Sequence, residues 1–186
     1  MNPEPTPERR DVTMSVGLAN LLAAPLFVGL VAVYGYAFHL VWGDMVLVRV
    51  FLTRTTLIAL VAGIFLHELL HGIGWKFAGK IAWEDIKFGV HWKLITPYAH
   101  CKVPITARAY RVGVVLPALF LGFLPATVGL ITGDAWFTIL GALFLGAAGG
   151  DLLGLWVLRS VPADAKVLDH PTKLGCEVIA GPLEQT

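Results

Sequence analysis

Apolar residues gather along this chain in four long blocks, at about 15–42, 55–77, 110–132 and 135–158. Each block reaches the length of about 20 residues that a helix needs to cross the hydrocarbon of a bilayer. Pro25, Pro117, Pro125 and the glycines of LGAAGGDLLG fall inside them. Membrane helices tolerate such residues because neighbouring helices restore the backbone partners they free. Only Gly133 and Asp134 separate the third block from the fourth, which predicts an antiparallel helical hairpin. Between the second and third blocks, the 78–109 loop alternates apolar and polar positions through Ile86, Phe88, Val90, Trp92 and Leu94. Period-two alternation in β-branched and aromatic residues predicts short strands. The fold class expected is an all-α polytopic membrane protein of about four transmembrane helices. A small cytoplasmic strand or hairpin lies between helices two and three.

Composition agrees with the blocks. The chain is 56% hydrophobic and 15% charged, with a mean hydropathy of +0.73, whereas soluble domains carry about 25% charged residues. A net charge of +1 with no basic stripe excludes a nucleic-acid partner. The polar start, MNPEPTPERRDVT, lacks the order of regions that marks a cleaved signal peptide and reads as a disordered leader over 1–13. A transmembrane domain follows over 14–160, then a cytoplasmic tail over 161–186. With four spans, both termini and the 78–109 loop share a side that holds twelve of the fourteen Lys and Arg residues, leaving Arg49 and Arg54 opposite. That excess places both termini in the cytoplasm. Cys101 and Cys176 fall on the same reducing side, which argues against a structural disulfide.

Candidate chemistry centres on the second block, where His67-Glu68-Leu69-Leu70-His71 forms H-E-x-x-H. Residues at i and i+4 of a helix differ by about 40° around the axis and about 6 Å along it, so both imidazoles can reach one zinc ion. Glu68, one residue past the first ligand, is placed to hold and deprotonate a water. The alternatives are core histidines bonded to carbonyls or hydroxyls and a glutamate in an ion pair. Against them, each ionisable group within a span costs about 3 kcal/mol, and three in five residues need compensation of the kind a cation supplies.

A catalytic zinc usually has three protein ligands and one open position. His71 lies about 16 residues from the outer end of the second block, and Asp151 about 16 residues from the outer end of the fourth, so both sit at the same depth of about 24 Å. Asp151 has no partner in its own segment, and Gly149, Gly150 and Gly154 would admit a closely packed neighbouring helix. Asp151 is therefore the expected third ligand, the alternative being an ion pair with a lysine at the inner interface.

An H-E-x-x-H within a span, followed by a buried aspartate in a later one, resembles the site-two protease class of intramembrane metallopeptidases. More closely, FLHELLHGIGW, TPYAHCKVPI, GAAGGDLLGLWVL and VLDHPTKLGCEV, in that order over about 55–180, resemble a small bacterial membrane family of zincin peptidases long known only as a domain of unknown function. The resemblance implies a zinc peptidase with His67, Glu68 and His71 at its centre, Asp151 matching the glycine-flanked aspartate, and a bacterial inner-membrane location. Site-two proteases carry an Asn-Pro-Asp-Gly-like sequence around the third ligand. Here Gly149-Gly150 precede Asp151 and the only asparagines are Asn2 and Asn20, so no oxyanion-stabilising asparagine carries over.

His100 reads either as a loop histidine or as a group facing the site, stabilising the oxyanion or supporting a ligand; Tyr98 has the same two readings. Asp169-His170-Pro171 either orients a ligand histidine or forms a turn in which the aspartate bonds nearby amides. His39 and His91 read as interfacial, and the tryptophans as an aromatic belt. The function expected is zinc-dependent hydrolysis of a peptide bond in or near the bilayer, Zn2+ being the cofactor and a membrane protein or peptide the substrate. The alternative is a non-catalytic zinc-binding, transport or scaffold protein. Oligomeric state stays open between a monomer and a homo-oligomer.

Overall fold

The computed structural model describes residues 9–43, 53–92 and 96–179. Polar residues at the edges of the apolar blocks start the helices. Ser15 precedes α1 (Val16–Trp42) and its hydroxyl accepts the Leu18 amide at 3.4 Å. Thr53 caps α2 (Arg54–Gly79) by accepting the Thr56 amide at 3.1 Å. Thr106 caps α3 (Ala107–Thr132) on the Ala109 amide at 3.3 Å. Each cap satisfies one donor that a first helical turn leaves unpaired. The middle of α3, Ala118–Phe123, winds as a π-helix directly after Pro117; proline removes a helical donor and crowds the preceding turn. Gly133 ends α3 at φ +76°, and Asp134 caps α4 (Ala135–Ala147) on the Phe137 amide at 3.0 Å. At Ala148 the chain bends by 43° into α5 (Gly149–Val157), which runs on as a short 3-10 turn to Ser160.

Helices α1, α2 and α3 are each long and apolar enough to cross a membrane, and α4 with α5 adds a fourth crossing if the bent pair is one span. By length and composition this is a membrane protein. Leu21, Val28 and Leu40 on α1 and Leu57, Ile58 and Phe65 on α2 stand largely exposed in the isolated chain, an apolar surface suited to lipid.

Strands make up the rest. Arg9–Met14 (β1), Ile105–Thr106 (β4), Lys166–Asp169 (β5) and Leu174–Ile179 (β6) form an antiparallel sheet in the order β1-β6-β5-β4. Ile86–His91 (β2) and Thr96–Cys101 (β3) form a separate hairpin, with Phe88 opposite Ala99 and Gly89 opposite Tyr98. In the larger sheet the two ends of the chain meet, Arg9 opposite Ile179 and Met14 opposite Leu174. Where the sheet meets the helices, Trp75, Tyr110, Val114, Leu158, Val167, Cys101 and Cys176 are buried in one core.

These strands correct the sequence reading. The chain is mixed α/β, with two sheets among the described residues, and not an all-α bundle carrying one small β element. Residues 9–13, read as part of a disordered leader, are strand β1, and the tail over 161–186 contributes β5 and β6. Polar composition concealed β1 because its ladder partner lies 160 to 170 residues away. Residues 1–8 of the leader, the 44–52 connection with Arg49, Lys93 and Leu94 of the alternating stretch, and residues 180–186 of the tail lie outside the described residues. The fourth block is two helices at an angle and not one straight rod.

Two close approaches set the helix spacing that matters for the site. A Cβ at Gly74 of α2 would lie 2.4 Å from Gly113 Cα of α3, and one at Gly141 of α4 would lie 2.2 Å from Ala126 N of α3. Glycine alone permits these backbone contacts, as in tightly packed membrane helices.

Candidate metal centre

His67, Glu68 and His71 lie in the second half of α2. The i, i+4 spacing brings the two imidazole rings to 4.9 Å between centroids, nearly perpendicular at 79°. Asp151 occupies the first turn of α5, just past the bend at Ala148. The bend turns the carboxylate toward α2. Asp151 Oδ2 stands 3.0 Å from His67 Nε2, and Oδ1 stands 3.4 Å from His71 Nε2. One donor atom from each residue lies within 4.8 Å of the other two.

Whether these residues suit a metal is decided by how the donors are used. Asp151 Oδ2 is enclosed and has no hydrogen-bond partner, although His67 Nε2 is only 3.0 Å away. His71 has its other nitrogen engaged, Nδ1 donating to the Gly113 carbonyl at 3.0 Å. In that tautomer Nε2 carries a lone pair, the form a metal requires. Donors about 2.0–2.2 Å from one tetrahedral zinc sit about 3.3–3.6 Å apart, close to the two histidine–aspartate separations. A buried carboxylate without a hydrogen bond is costly in an apolar setting, and a cation between the three donors removes that cost. Two imidazole nitrogens and one carboxylate oxygen suit zinc and leave a fourth position open. The residues fit the metal.

Packing behind His71 holds its ring. Trp75, one turn further along α2, stacks on it at 5.6 Å and 16°, and Tyr110 of α3 stacks on Trp75 at 5.8 Å and 20°. The indole Nε1 donates to the Tyr110 carbonyl at 3.2 Å. The Gly74–Gly113 contact brings α3 near enough for the Gly113 carbonyl to reach His71. Sequence reasoning missed Gly113, Trp75 and Tyr110 in this role. The i+4 step from His71 to Trp75 was readable, but nothing in the chain points to a carbonyl forty-two residues downstream.

Glu68, next to His67, lines a cavity of about 390 Å³ with Phe65 and Leu69 of α2 and with Phe88, Gly89, Val90, Pro97 and Tyr98 of the β2–β3 hairpin. The backbone N–H of Ala99 on β3 lies near its carboxylate. Strand β3 faces the glutamate across the cavity, with Pro97 and Tyr98 in the cavity wall. His100 bonds elsewhere: its Nδ1 pairs with Asp169 Oδ2 at 2.8 Å. The same oxygen accepts the Cys101 amide at 3.2 Å, and Asp169 Oδ1 accepts the Tyr110 hydroxyl at 2.7 Å. Asp169 therefore orients a histidine, but that histidine is His100 and not His67 or His71. The next residue forms a turn, His170 Nδ1 accepting the Thr172 and Lys173 amides at 3.1 and 3.0 Å.

No curated protein and no solved structure gives a match to this sequence. A family model does, over a stretch that contains His67, Glu68, His71, His100, Gly113 and Asp151 and stops short of Asp169. Residues 60–166 match the family described as “putative zincin peptidase”, and the chain belongs to that family.

Proposed function

We propose that this protein is a membrane-embedded zinc metallopeptidase that hydrolyses peptide bonds in or beside the bilayer. The observation that carries the proposal is the convergence of His67, His71 and Asp151 on one point, with Glu68 next to His67 on the same helix. His67 Nε2, His71 Nε2 and Asp151 are the residues that hold the metal. Zinc in such a site polarises a carbonyl group and makes water a stronger acid.

This chain's own groups do the rest. Glu68 accepts the proton of the attacking water and passes it to the leaving amine, a shuttle that general acid–base catalysis by a carboxylate supplies. The carboxylate of Glu68 lies at the cavity that Pro97 and Tyr98 of β3 close from the other side. Gly113 holds the His71 tautomer. The apolar walls, Phe65, Leu69, Phe88 and Val90, favour an apolar segment. A helical substrate must unwind before cleavage, because its peptide bonds are shielded by their own hydrogen bonds. Membrane-protein or peptide substrates follow from this reading, as does kinship with the site-two protease class, supported by the order of the metal-binding residues along the chain. The Lys and Arg distribution supports cytoplasmic termini and a site that opens toward the cytoplasm.

Metal analysis of the detergent-purified protein tests the proposal. About one zinc per chain is expected, lost in His67→Ala and His71→Ala and kept in Glu68→Gln, because the glutamate in this motif is a base and not a ligand. Zinc retained in both histidine variants refutes the site.

A further inference from the structure

We propose that the cavity beside Glu68 is the pocket that receives one large apolar side chain of the substrate, next to the scissile bond, and that Phe88 and Val90 of β2 set which side chain fits. The inference rests on the peptidase reading above and narrows its substrate class, from an apolar segment to one with a bulky, uncharged residue at the cleavage point.

The pocket is built between a strand and a helix. Alternate residues of a strand share a face, so Phe88 and Val90 stand together on β2, with Pro97 paired across the ladder from Val90. That face is turned toward α2. A Cβ placed on Gly72 would lie 2.5 Å from Phe88 Cζ, so the ring occupies the space that a side chain at 72 would fill. Phe65, Glu68 and Leu69 precede Gly72 by seven, four and three residues, the spacings that keep residues on one side of a helix. They form the opposite wall, and the space between is about 390 Å³. Pockets that enclose organic ligands run from about 300 to 1,000 Å³. This one is near the lower end and suits a single bulky side chain with its flanking backbone.

Glu68 is the only charged residue in the lining among the described residues. The base therefore stands in the wall, which sets a side chain held here beside the bond under attack. An acidic side chain would bring a second carboxylate against Glu68 in apolar surroundings, where like charges repel most strongly. Phe65 is 59% exposed and Phe88 43%, so the cavity opens on the flank of α2 that also presents Ile58. That flank is surface suited to lipid, and a residue of a membrane segment reaches the pocket without passing through the helix bundle.

The test uses the full-length zinc-loaded protein in detergent micelles. Four peptidyl hydroxamates serve as probes, sharing the metal-binding group and differing in the adjacent side chain: methyl, isobutyl, naphthylmethyl or carboxyethyl. A buried methylene is worth about fourfold in affinity. Isobutyl should therefore bind about 10–100-fold more tightly than methyl, and carboxyethyl should bind weakest. Val90→Phe fills the pocket from the hairpin and should remove most of the isobutyl advantage. Phe88→Ala widens it and should raise naphthylmethyl over isobutyl by about 10-fold relative to the wild type. Zinc bound at wild-type stoichiometry in each variant shows that the metal site is intact. Equal affinity for methyl and isobutyl in the wild type overturns the proposal, as does a ranking that stays the same in both variants. A wild type that holds no zinc, or binds none of the four probes, overturns the peptidase reading and this inference with it.

Discussion

Replacing Gly74 by alanine should loosen the metal site without touching any residue in it. The added Cβ would stand 2.4 Å from Gly113 Cα and 2.9 Å from Gly113 N. Carbon atoms in contact settle at about 3.5–4.0 Å, so α2 and α3 must part by about 1 Å or more at this crossing. Backbone stands on the far side, so no side-chain rotation relieves the clash. Overpacking of this kind costs about 1–3 kcal/mol. The same displacement carries the Gly113 carbonyl away from His71 Nδ1, now at 3.0 Å, to about 4 Å, beyond hydrogen-bonding range. Losing the partner that orients a ligand histidine lowers metal affinity by about 10–100-fold, or about 1.4–2.8 kcal/mol. Chelator-competition titration of zinc reads the second effect, and thermal unfolding in the same detergent reads the first. Gly29→Ala is the control: nothing lies within 4 Å of its added Cβ, and the change should be neutral or stabilising by up to about 1 kcal/mol. If Gly74→Ala binds zinc as tightly as the wild type, the Gly113 carbonyl does not set the His71 tautomer and the reasoning fails.

Glu68→Gln should abolish cleavage of a co-expressed membrane substrate while the variant still inserts and keeps its zinc; cleavage at the wild-type rate would remove Glu68 as the base. Cys101 and Cys176 should resist maleimide at pH 8 in the folded protein. Both are buried, and burial raises their thiols from an ordinary value of 9.0 to about 11 and about 12, leaving little thiolate to react; rapid labelling of either would contradict their burial. The unfolded chain gives up these protons first, so the stability they contribute is complete below about pH 9 and falls as pH rises through 11 to 12. An unfolding series across that range, compared with Cys101→Ala, should show a shallower fall in the variant. For topology, Lys80→Cys should be shielded from an impermeant thiol reagent added outside intact cells and Thr132→Cys should react; the reverse pattern inverts the membrane.

What the sequence determined on its own was whatever local pattern controls. Apolar length fixed where α1, α2 and α3 run, because crossing hydrocarbon demands uninterrupted helix, and Ser15, Thr53, Thr106 and Asp134 start helices by bonding amides three residues away. The alternation from Ile86 to Val90 reads directly as a strand of the β2–β3 hairpin. His67 and His71 are brought together by helical periodicity alone. Tertiary structure decided everything that depends on distant pairing. β1 is polar and short, and becomes a strand only because β6 lies beside it. With β4, β5 and β6 it makes the four-stranded sheet that turns an all-α expectation into a mixed α/β fold. Asp151 could be matched to the histidines by depth, but its direction comes from the bend at Ala148. Asp169 had an ordinary turn reading, since Asp-His-Pro is a common turn sequence. Its bonds to His100, Tyr110 and Cys101 join three positions 59 to 69 residues away, and no periodicity spans such a gap. The metal-binding histidines are local chemistry; the carbonyl, the ring stack and the carboxylates that hold the site in shape are set by how helices and sheet pack.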